Sequence, residues 1–586
     1  MSVGAEQMLG ELDAWIDQTP MKQDFQYRFC GPLSAPEELG GRPPEYRRTL
    51  EQGVIIERDV AVAMRDGVKI LVDVFRPADE KPAPPIVAWG PYGKHSPTNM
   101  AKQFPRAGIT ATLSAYTAFE APDPMHWAAR GYAVLNVDPR GTWFSEGTAT
   151  YLSPEEAQDV YDLVEWAGAQ RWSNGKVGLL GVSYLACVQW SAAAAQPPHL
   201  AAIIPWEGWS DFYREVVTHG GIPETSFWAY LPGRWGRSKR QVEDLKRETD
   251  EHPLFDSFWQ SKAADLTKIT VPAYVVASWT DQGLHTRGTL EGFKRMSSKQ
   301  KWLEVHGRKK WAYFYEPESV RRQQAFFDHF LKGIENDAPN WPKVRLEIRE
   351  RYYAGAERRE NEWPIARTAY TRLYLDARAG SLQREPVKVE ASCRYEAAYD
   401  SNGRARFDFR FDRRTDLVGH MKLKAWMKPE GSDDMDVFVA VQKLDAKGEV
   451  VPFAFYAQFE DGPVALGWLR ASHRELDPER STEYQPVLKH RRELKLKDGE
   501  AVPLEIEIWP SGTRFEAGES LRLLVMSSDF KKPDADPSRA TRAAGLPKTV
   551  RPSPLALHTA SVNRGHHVIL AGGKYDSYLL VPVIPS

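Results

Sequence analysis

From Ile55 to Pro77 (IIERDVAVAMRDGVKILVDVFRP) apolar and polar residues alternate in two runs broken at Asp66-Gly67, the pattern of two strands joined by a hairpin turn. The pattern then changes to short continuous apolar runs: Pro85 to Trp89, Tyr132 to Val137, Val177 to Leu180, Leu200 to Pro205 and Val271 to Ser278. Runs of that length, each ending in a turn, read as strands buried on both faces. Between them, Pro154 to Ala169 carries Val160, Leu163, Val164 and Ala167 at helical spacing, behind an acidic first turn (Glu155, Glu156, Asp159) that suits the helix dipole. Strands alternating with helices predict a mostly parallel, doubly wound α/β sheet.

Asp211 to Ile269 interrupts this alternation with aromatic and charged helical segments such as Arg240 to Thr249. An insertion of that size between sheet strands is expected to lie over the strand ends as a cap. The helix Pro317 to Lys332, with Phe326, Phe327, Phe330 and Leu331, closes the α/β part. From about Trp341 onward, short alternating strands such as Met421 to Trp426 and Leu504 to Trp509 predict a β-sandwich or jelly roll.

At 586 residues the chain is too long for one core. A formal charge of -2 and a pI near 6.7 give no basic field, which argues against nucleic acid or anionic membrane as a partner. Short basic runs such as Arg234 to Arg240 read as solvated faces. Cys30, Cys187 and Cys393 are too few and too scattered for a disulfide framework or a zinc site, so a reducing compartment is expected. Met1 to Pro20 carries Glu6, Glu11, Asp13 and Asp17 and lacks the basic start and apolar core of a signal peptide. The longest apolar stretch, Val177 to Ala195, is broken by Gly178, Gly181, Ser183, Gln189 and Ser191, unlike a membrane span. A soluble, cytoplasmic protein is expected, with no metal or organic cofactor, since no ligand-spaced cluster or phosphate-cradling glycine loop occurs. Whether it forms a homo-oligomer is left open.

The chemistry centres on Ser183, in Gly181-Val182-Ser183-Tyr184-Leu185-Ala186 between an apolar strand and an alanine-rich helix. A serine at a sharp strand-to-helix turn stands above the sheet at a helix N-terminus, placed for attack on a carbonyl. Such a serine needs a base, the base an orienting carboxylate, and the oxyanion two donors. In this fold class the order along the chain is Ser, Asp or Glu, then His. Asp281, in the turn after the strand Val271 to Ser278, fits the acid. His306, at the end of the strand from Lys301 to Val305, fits the base, with His285 as the alternative or as a pocket residue, while His329 sits on a helix among packing neighbours. The backbone N–H of Tyr184 and the phenol of Tyr92, in Gly90-Pro91-Tyr92-Gly93-Lys94, are the expected oxyanion donors. Trp209, Phe227 and Trp228 are candidate pocket aromatics, and Glu207 and Asp211 are the carboxylates that a substrate amine would need.

Taken together these motifs resemble the cocaine esterase, α-amino acid ester hydrolase and Xaa-Pro dipeptidyl-peptidase group of α/β-hydrolases. The likeness runs from about Ile55 nearly to the C-terminus. It rests on Met64-Arg65-Asp66-Gly67-Val68, the Pro91-Tyr92-Gly93-Lys94 turn, Asp138-Pro139-Arg140-Gly141 with Ser145-Glu146-Gly147, and Trp172 to Gly178 leading into Gly181-Val182-Ser183-Tyr184. The resemblance implies an α/β-hydrolase domain over 55–210 and 265–338, a helical cap insertion at 211–264 and a C-terminal jelly-roll β domain at 339–586, after an N-terminal extension at 1–54. It also implies that Tyr92 is an oxyanion donor, that Asp281, in Ser278-Trp279-Thr280-Asp281, is the acid, and that Asp434-Met435-Asp436 and Phe515-Glu516-Ala517-Gly518 determine fold. The group's second glycine is here Ala186. Its base position, in Gly-Pro-Trp-x-His, falls here on Lys310, four residues after His306. The implied activity is cleavage of a small-molecule ester or amide through an acyl-enzyme. Peptidase action like that of a Xaa-Pro dipeptidyl-peptidase, acyl transfer, and a scaffold kept for binding are the alternatives.

Overall fold

The computed structural model describes residues 25–79, 81–95, 100–532 and 556–585; the stretch Met1 to Pro20 lies outside them. The sheet that organises the first half contains β1 (Arg47–Glu51), β2 (Val54–Ala63), β3 (Lys69–Pro77), β4 (Pro85–Trp89), β5 (Ala133–Asp138), β6 (Val177–Val182), β7 (Leu200–Trp206), β8 (Ala273–Ser278), β9 (Lys301–His306), β10 (Val344–Arg351) and β11 (Ala354–Glu360). In space the order is β1-β2-β3-β5-β4-β6-β7-β8-β9-β10-β11, antiparallel at both edges and parallel from β5 through β10. Asp66-Gly67 forms the turn between β2 and β3, with Gly67 N–H donating to the Met64 carbonyl at 2.9 Å. Strands β4 to β8 are buried on both faces because helices cover both sides. These include α1 (Pro154–Gly168), α2 (Tyr184–Ala194), α3 (Thr286–Arg295) and α4 (Pro317–Lys332).

Two expectations change. The acidic first turn of α1 is more than a complement to the dipole: Glu156 is buried and Asp159 holds Arg140 at 2.7 Å, while Arg140 also reaches Asp66 at 2.7 Å. That ion cluster ties the Asp66-Gly67 hairpin to the Asp138-Pro139-Arg140-Gly141 turn. Second, the expected boundary at 338/339 falls inside one sheet, since β10 pairs in parallel with β9 through Leu303↔Val344 and Val305↔Leu346. The strict alternation of β10 (VRLEIRER) reflects its place near the sheet edge.

The second half is mostly strands around a core of its own, including Leu423, Val439, Ile506, Leu523, Ile569 and Leu579. The strand Asp436–Leu444 shows how it meets the first half. Val437, Val439 and Val441 point into that core, while the intervening Phe438 and Ala440 join the core of the α/β sheet. Leu521, Leu523 and Val525 against Leu524 and Met526 repeat the division on the paired strand Ser520–Met526. A side-chain period of two thus bonds one layer to two cores. Among the described residues no helix is long and apolar enough to cross a membrane.

The insertion is less helical than expected. It contains a short π-helical turn at Tyr213–Val217, two-residue strands at Thr218–His219 and Ile222–Pro223, and the short helices Phe227–Trp235, Leu245–Glu251 and Ser257–Ser261.

Candidate active site

Ser183 links β6 directly to α2 with φ 61° and ψ -118°, a strained conformation for a residue with a side chain. Neighbouring glycines make room for it. A Cβ on Gly181 would lie 2.4 Å from Leu185 Cβ, and one on Gly90 would lie 2.5 Å from Leu185 Cδ1. Leu185, at the position of the more common glycine, is therefore accommodated by Gly181 and Gly90. Ala186 faces Gly208, where an added Cβ would meet the Ala186 methyl at 2.8 Å and the Cys187 N at 2.9 Å. The small residue three places after the serine is thus the one in tight contact with the next strand end.

The imidazole at this serine is that of His285. Ser183 Oγ lies 3.1 Å from His285 Nε2, and His285 Nδ1 bonds Asp281 Oδ2. With the Nδ1 proton donated in a hydrogen bond to the Asp281 carboxylate, Nε2 is free to accept the serine proton. Asp281 and His285 occupy one turn that leads into α3, where the N–H groups of Leu284, His285 and Thr286 point to the Asp281 carbonyl. Trp209 stacks on His285, with ring centroids 5.1 Å apart and planes 14° apart. All three side chains are buried.

His306 is elsewhere, so the expectation that it would reach Ser183 is corrected. Its Nδ1 accepts from Arg308 N–H at 3.2 Å, which leaves the proton on Nε2 to donate to Glu207 Oε1 at 3.1 Å. Glu207 also accepts from Ser278 Oγ at 2.6 Å, and its carbonyl receives the Ser183 N–H at 3.1 Å. His306 therefore supports the nucleophile turn at one remove. The strand-end position of His306 was the wrong guide; the spacing of Asp281 and His285, one helical turn apart, was the usable signal.

Lys310, which the resemblance aligned with the base, lies in the same cluster. Its ammonium is 3.2 Å from Asp281 Oδ2 and 3.4 Å from His285 Nδ1. Burial alone would raise the Asp281 pKa, but Lys310 and His285 outweigh it and hold the carboxyl at about 2. Burial lowers the His285 pKa, and the Lys310 charge lowers it further against the pull of Asp281, so the ring is kept neutral.

The two expected oxyanion donors come from two elements, the start of α2 and the turn after β4. The Tyr184 N–H begins α2 and has no acceptor among the described residues, while the Tyr184 phenol points away and donates to Glu156 at 2.7 Å. Tyr92 is on the turn after β4, the strand beside β6. Its ring packs edge-on to Phe119 at 4.7 Å and lies 6.4 Å from the ring of Tyr184. Burial pushes the Tyr92 phenol well above its ordinary value, so it remains a proton donor. Lys94 fixes this turn: its N–H donates to Asp138 at 2.8 Å and its buried ammonium holds Asp73 at 2.7 Å and also Asp59. Asp59, Asp73 and His95 bring ligand-type atoms within 4.8 Å of one another, and the Lys94 ammonium is the cation that the two carboxylates hold.

The pocket candidates divide. Trp209 belongs to the site; Trp228 packs one layer out, against Phe212 at 5.0 Å, and Phe227 is half-buried on the same core. Asp211 is taken up by Arg214 at 2.7 Å and Glu207 by His306 and Ser278, so neither is an open amine site. Two groups were not anticipated. Glu120 accepts from Trp311 Nε1 at 2.8 Å, its other oxygen has no hydrogen-bond partner among the described residues, and burial raises its pKa to about 7. Arg234 and Arg237, read from sequence as part of a solvated basic face, are buried; only Lys239 and Arg240 of that run are exposed.

The second half of the chain closes the site from behind. Gln282, next to Asp281, donates to the Pro510 carbonyl at 3.0 Å and accepts from Leu466 N–H at 3.1 Å. Tyr456 N–H donates to the Thr280 carbonyl at 2.9 Å, and Arg287 bonds Glu507 at 3.0 Å.

Residues 66–309 match the X-Pro dipeptidyl-peptidase (S15 family) profile, and residues 336–580 match the X-Pro dipeptidyl-peptidase C-terminal non-catalytic domain. A crystal structure of a CocE/NonD family hydrolase from Staphylococcus aureus is 39% identical, covers 97% of this chain and 100% of its own, and superposes with a TM-score of 0.86. A cocaine esterase from Rhodococcus sp. is 28% identical over 379 residues, 55% of this chain and 62% of that protein. A Xaa-Pro dipeptidyl-peptidase from Lactobacillus helveticus is 24% identical over 298 residues, 43% of this chain and 37% of that protein. The chain thus matches less than two thirds of the length of each of these two curated relatives.

Proposed function

The chain belongs to the CocE/NonD family of hydrolases, and from that premise we propose that it is a serine hydrolase that cleaves an ester or amide through an acyl-enzyme, with Ser183, His285 and Asp281 as its triad. The observation that carries the reading is the unbroken line from Ser183 Oγ to His285 Nε2 at 3.1 Å and from His285 Nδ1 to Asp281.

Ser183 Oγ attacks the acyl carbonyl carbon while His285 Nε2 takes its proton. The carbonyl oxygen gains the negative charge and is bound by the Tyr92 O–H and the Tyr184 N–H. Collapse breaks the bond to the leaving group, which takes the proton from His285. Water, deprotonated by the same nitrogen, then attacks the acyl-serine and frees the acid. Asp281 keeps the Nδ1 proton in place and stabilises the imidazolium, and Lys310 keeps Asp281 ionised. The insertion at 211–264 acts as the cap over this site, and the C-terminal strands form a jelly roll; the packing of Trp235, from the insertion, on Tyr184 at 4.9 Å supports the first assignment.

An ester or acyl amide is favoured over an N-terminal dipeptide, because Glu207 and Asp211 are already paired. Acyl transfer to amines or alcohols is a matter of partitioning and is read by product analysis. The test of the central reading is labelling with a fluorophosphonate. Wild type should label at Ser183 and hydrolyse p-nitrophenyl acyl esters, and Ser183→Ala should do neither; wild-type protein inert in both assays sinks the proposal.

A further inference from the structure

Arg234 and Arg237 come from the last turn of the helix Phe227–Trp235 and the residues after it. Both residues are more than nine-tenths buried, with relative exposures of 9% and 8%. Neither guanidinium makes a hydrogen bond or an ion pair among the described residues, and the Nε of Arg237 is wholly buried without a partner. What they touch is aromatic: Arg234 Cζ stands 4.3 Å from the ring centre of Phe119 and 5.4 Å from that of Tyr92, and Arg237 Cζ stands 5.9 Å from that of Trp143. Trp143 in turn donates to the Pro91 carbonyl at 3.2 Å, so both arginines border the turn that carries the oxyanion phenol. Trp235, between them, packs on Tyr184, the residue after the nucleophile, at 4.9 Å.

A buried cation without a counter-charge is costly, and a bound anion would offset that cost. Ring faces offset only part of that cost. The nearby charges do not balance the pair. Asp281 is committed to Lys310 and His285, and Glu120, the carboxyl whose charge Arg234 feels, is shared with Lys310 and pushed toward its neutral form by burial. A guanidinium beside the oxyanion donor presents a planar fork suited to a carboxylate.

We propose that Arg234, backed by Arg237, binds a carboxylate of the substrate, so that the preferred substrates are anionic esters or amides whose carboxylate lies a few bonds from the scissile carbonyl. This deepens the hydrolase reading and rests on it. Arg234 is a specificity-determining residue here, and Arg237 holds the local field positive.

The test compares substrates in matched pairs: the mono-p-nitrophenyl ester of glutaric acid against p-nitrophenyl butyrate, and 4-acetoxybenzoate against phenyl acetate. The first places the carboxylate on the acyl side and the second on the leaving group. Wild type should favour the anionic member of at least one pair by tenfold or more in kcat/KM. That ratio should collapse toward one in Arg234→Gln and be partly kept in Arg234→Lys. Because the readout is a ratio within each protein, a general loss of activity or folding cancels. Wild-type preference for the neutral member of both pairs, or a ratio unmoved by Arg234→Gln, overturns the proposal. Calorimetric titration with glutarate separates this from failure of the hydrolase reading. If no ester is turned over but wild type binds glutarate and Arg234→Gln does not, the anion site stands while the hydrolase reading falls. If Ser183 labels and glutarate neither binds nor competes with labelling, the anion site falls and the hydrolase stands.

Discussion

His285 sits one helical turn after Asp281, and the two side chains are hydrogen-bonded inside a single continuous turn, so acid and base are delivered together by the segment that follows β8. His306, one strand further on, serves the backbone of the nucleophile turn through Glu207. Removal of the two histidines should therefore have different signatures. His285→Ala should lower kcat/KM by about 10⁴-fold or more with little change in Tm. His306→Gln should cost roughly 1–3 kcal/mol of stability and far less activity. Steady-state kinetics beside thermal denaturation of both variants decides it, and the reverse pattern would return the base to His306.

The acid side of the pH–rate profile follows from the electrostatics. Burial and Lys310 both lower the His285 pKa, so the neutral, active ring persists below the ordinary histidine value of about 6.5. The rise of kcat/KM with pH should be complete by neutrality. Lys310→Met removes one of the two depressing causes and should move the acid limb toward higher pH. A profile that stays in place or moves toward lower pH would show that Lys310 does not act on His285.

The tight fit of Ala186 against Gly208 gives a steric prediction. Gly208→Ala puts a methyl 2.8 Å from that of Ala186 and should destabilise by about 1–3 kcal/mol while displacing the nucleophile turn. Ala186→Gly opens the contact, and in the Gly208→Ala background it should restore part of the lost Tm and labelling rate. Additive effects in that double variant would show that the two sites do not clash.

A second proton-dependent element lies where the halves meet. His219 Nε2–H donates to the Glu215 carbonyl at 3.2 Å, leaving Nδ1 to accept from His558 Nε2–H at 2.8 Å, while His558 Nδ1–H donates to Asp529 at 2.7 Å. His558 is thereby a cation. Burial would lower its pKa, but Asp529 outweighs that and raises it. A raised folded pKa contributes stability that is complete below the unfolded value near 6.5 and is lost as pH rises through the folded one. The Tm gap between wild type and Asp529→Asn should then be widest between about pH 5 and 6.5 and narrow as pH rises. A gap that widens with pH would contradict this charge state.

Much of this was readable from sequence, for identifiable reasons. Continuous apolar runs marked β4 to β8, Asp66-Gly67 marked the first hairpin, and the strand-serine-helix pattern located Ser183. Two things escaped for one shared reason: a linear pattern records spacing but not which side of a fold a residue faces. His285 and His306 both satisfy the order serine, acid, histidine, and three-dimensional register alone separates them. Arg234 to Arg240 has the composition of a solvated run, yet Arg234, in the last turn of the helix ending at Trp235, and Arg237, just after it, are both buried. The strand Asp436–Leu444 (DVFVAVQKL) departs from the short alternating pattern expected of the second half, because its nearly unbroken apolar run is covered on both faces.

The grip of Pro510, Leu466 and Tyr456 on residues 280 and 282 has a bearing on how this chain can change. The downstream half supplies no reacting group, yet it is the mould in which the acid and base are set. A lesion there should reach an assay as poor turnover by a protein that still folds, and a transplant of the upstream half alone should carry the serine but leave its partners slack. The two halves are thus one machine part, and neither can drift in shape without being answered by the other.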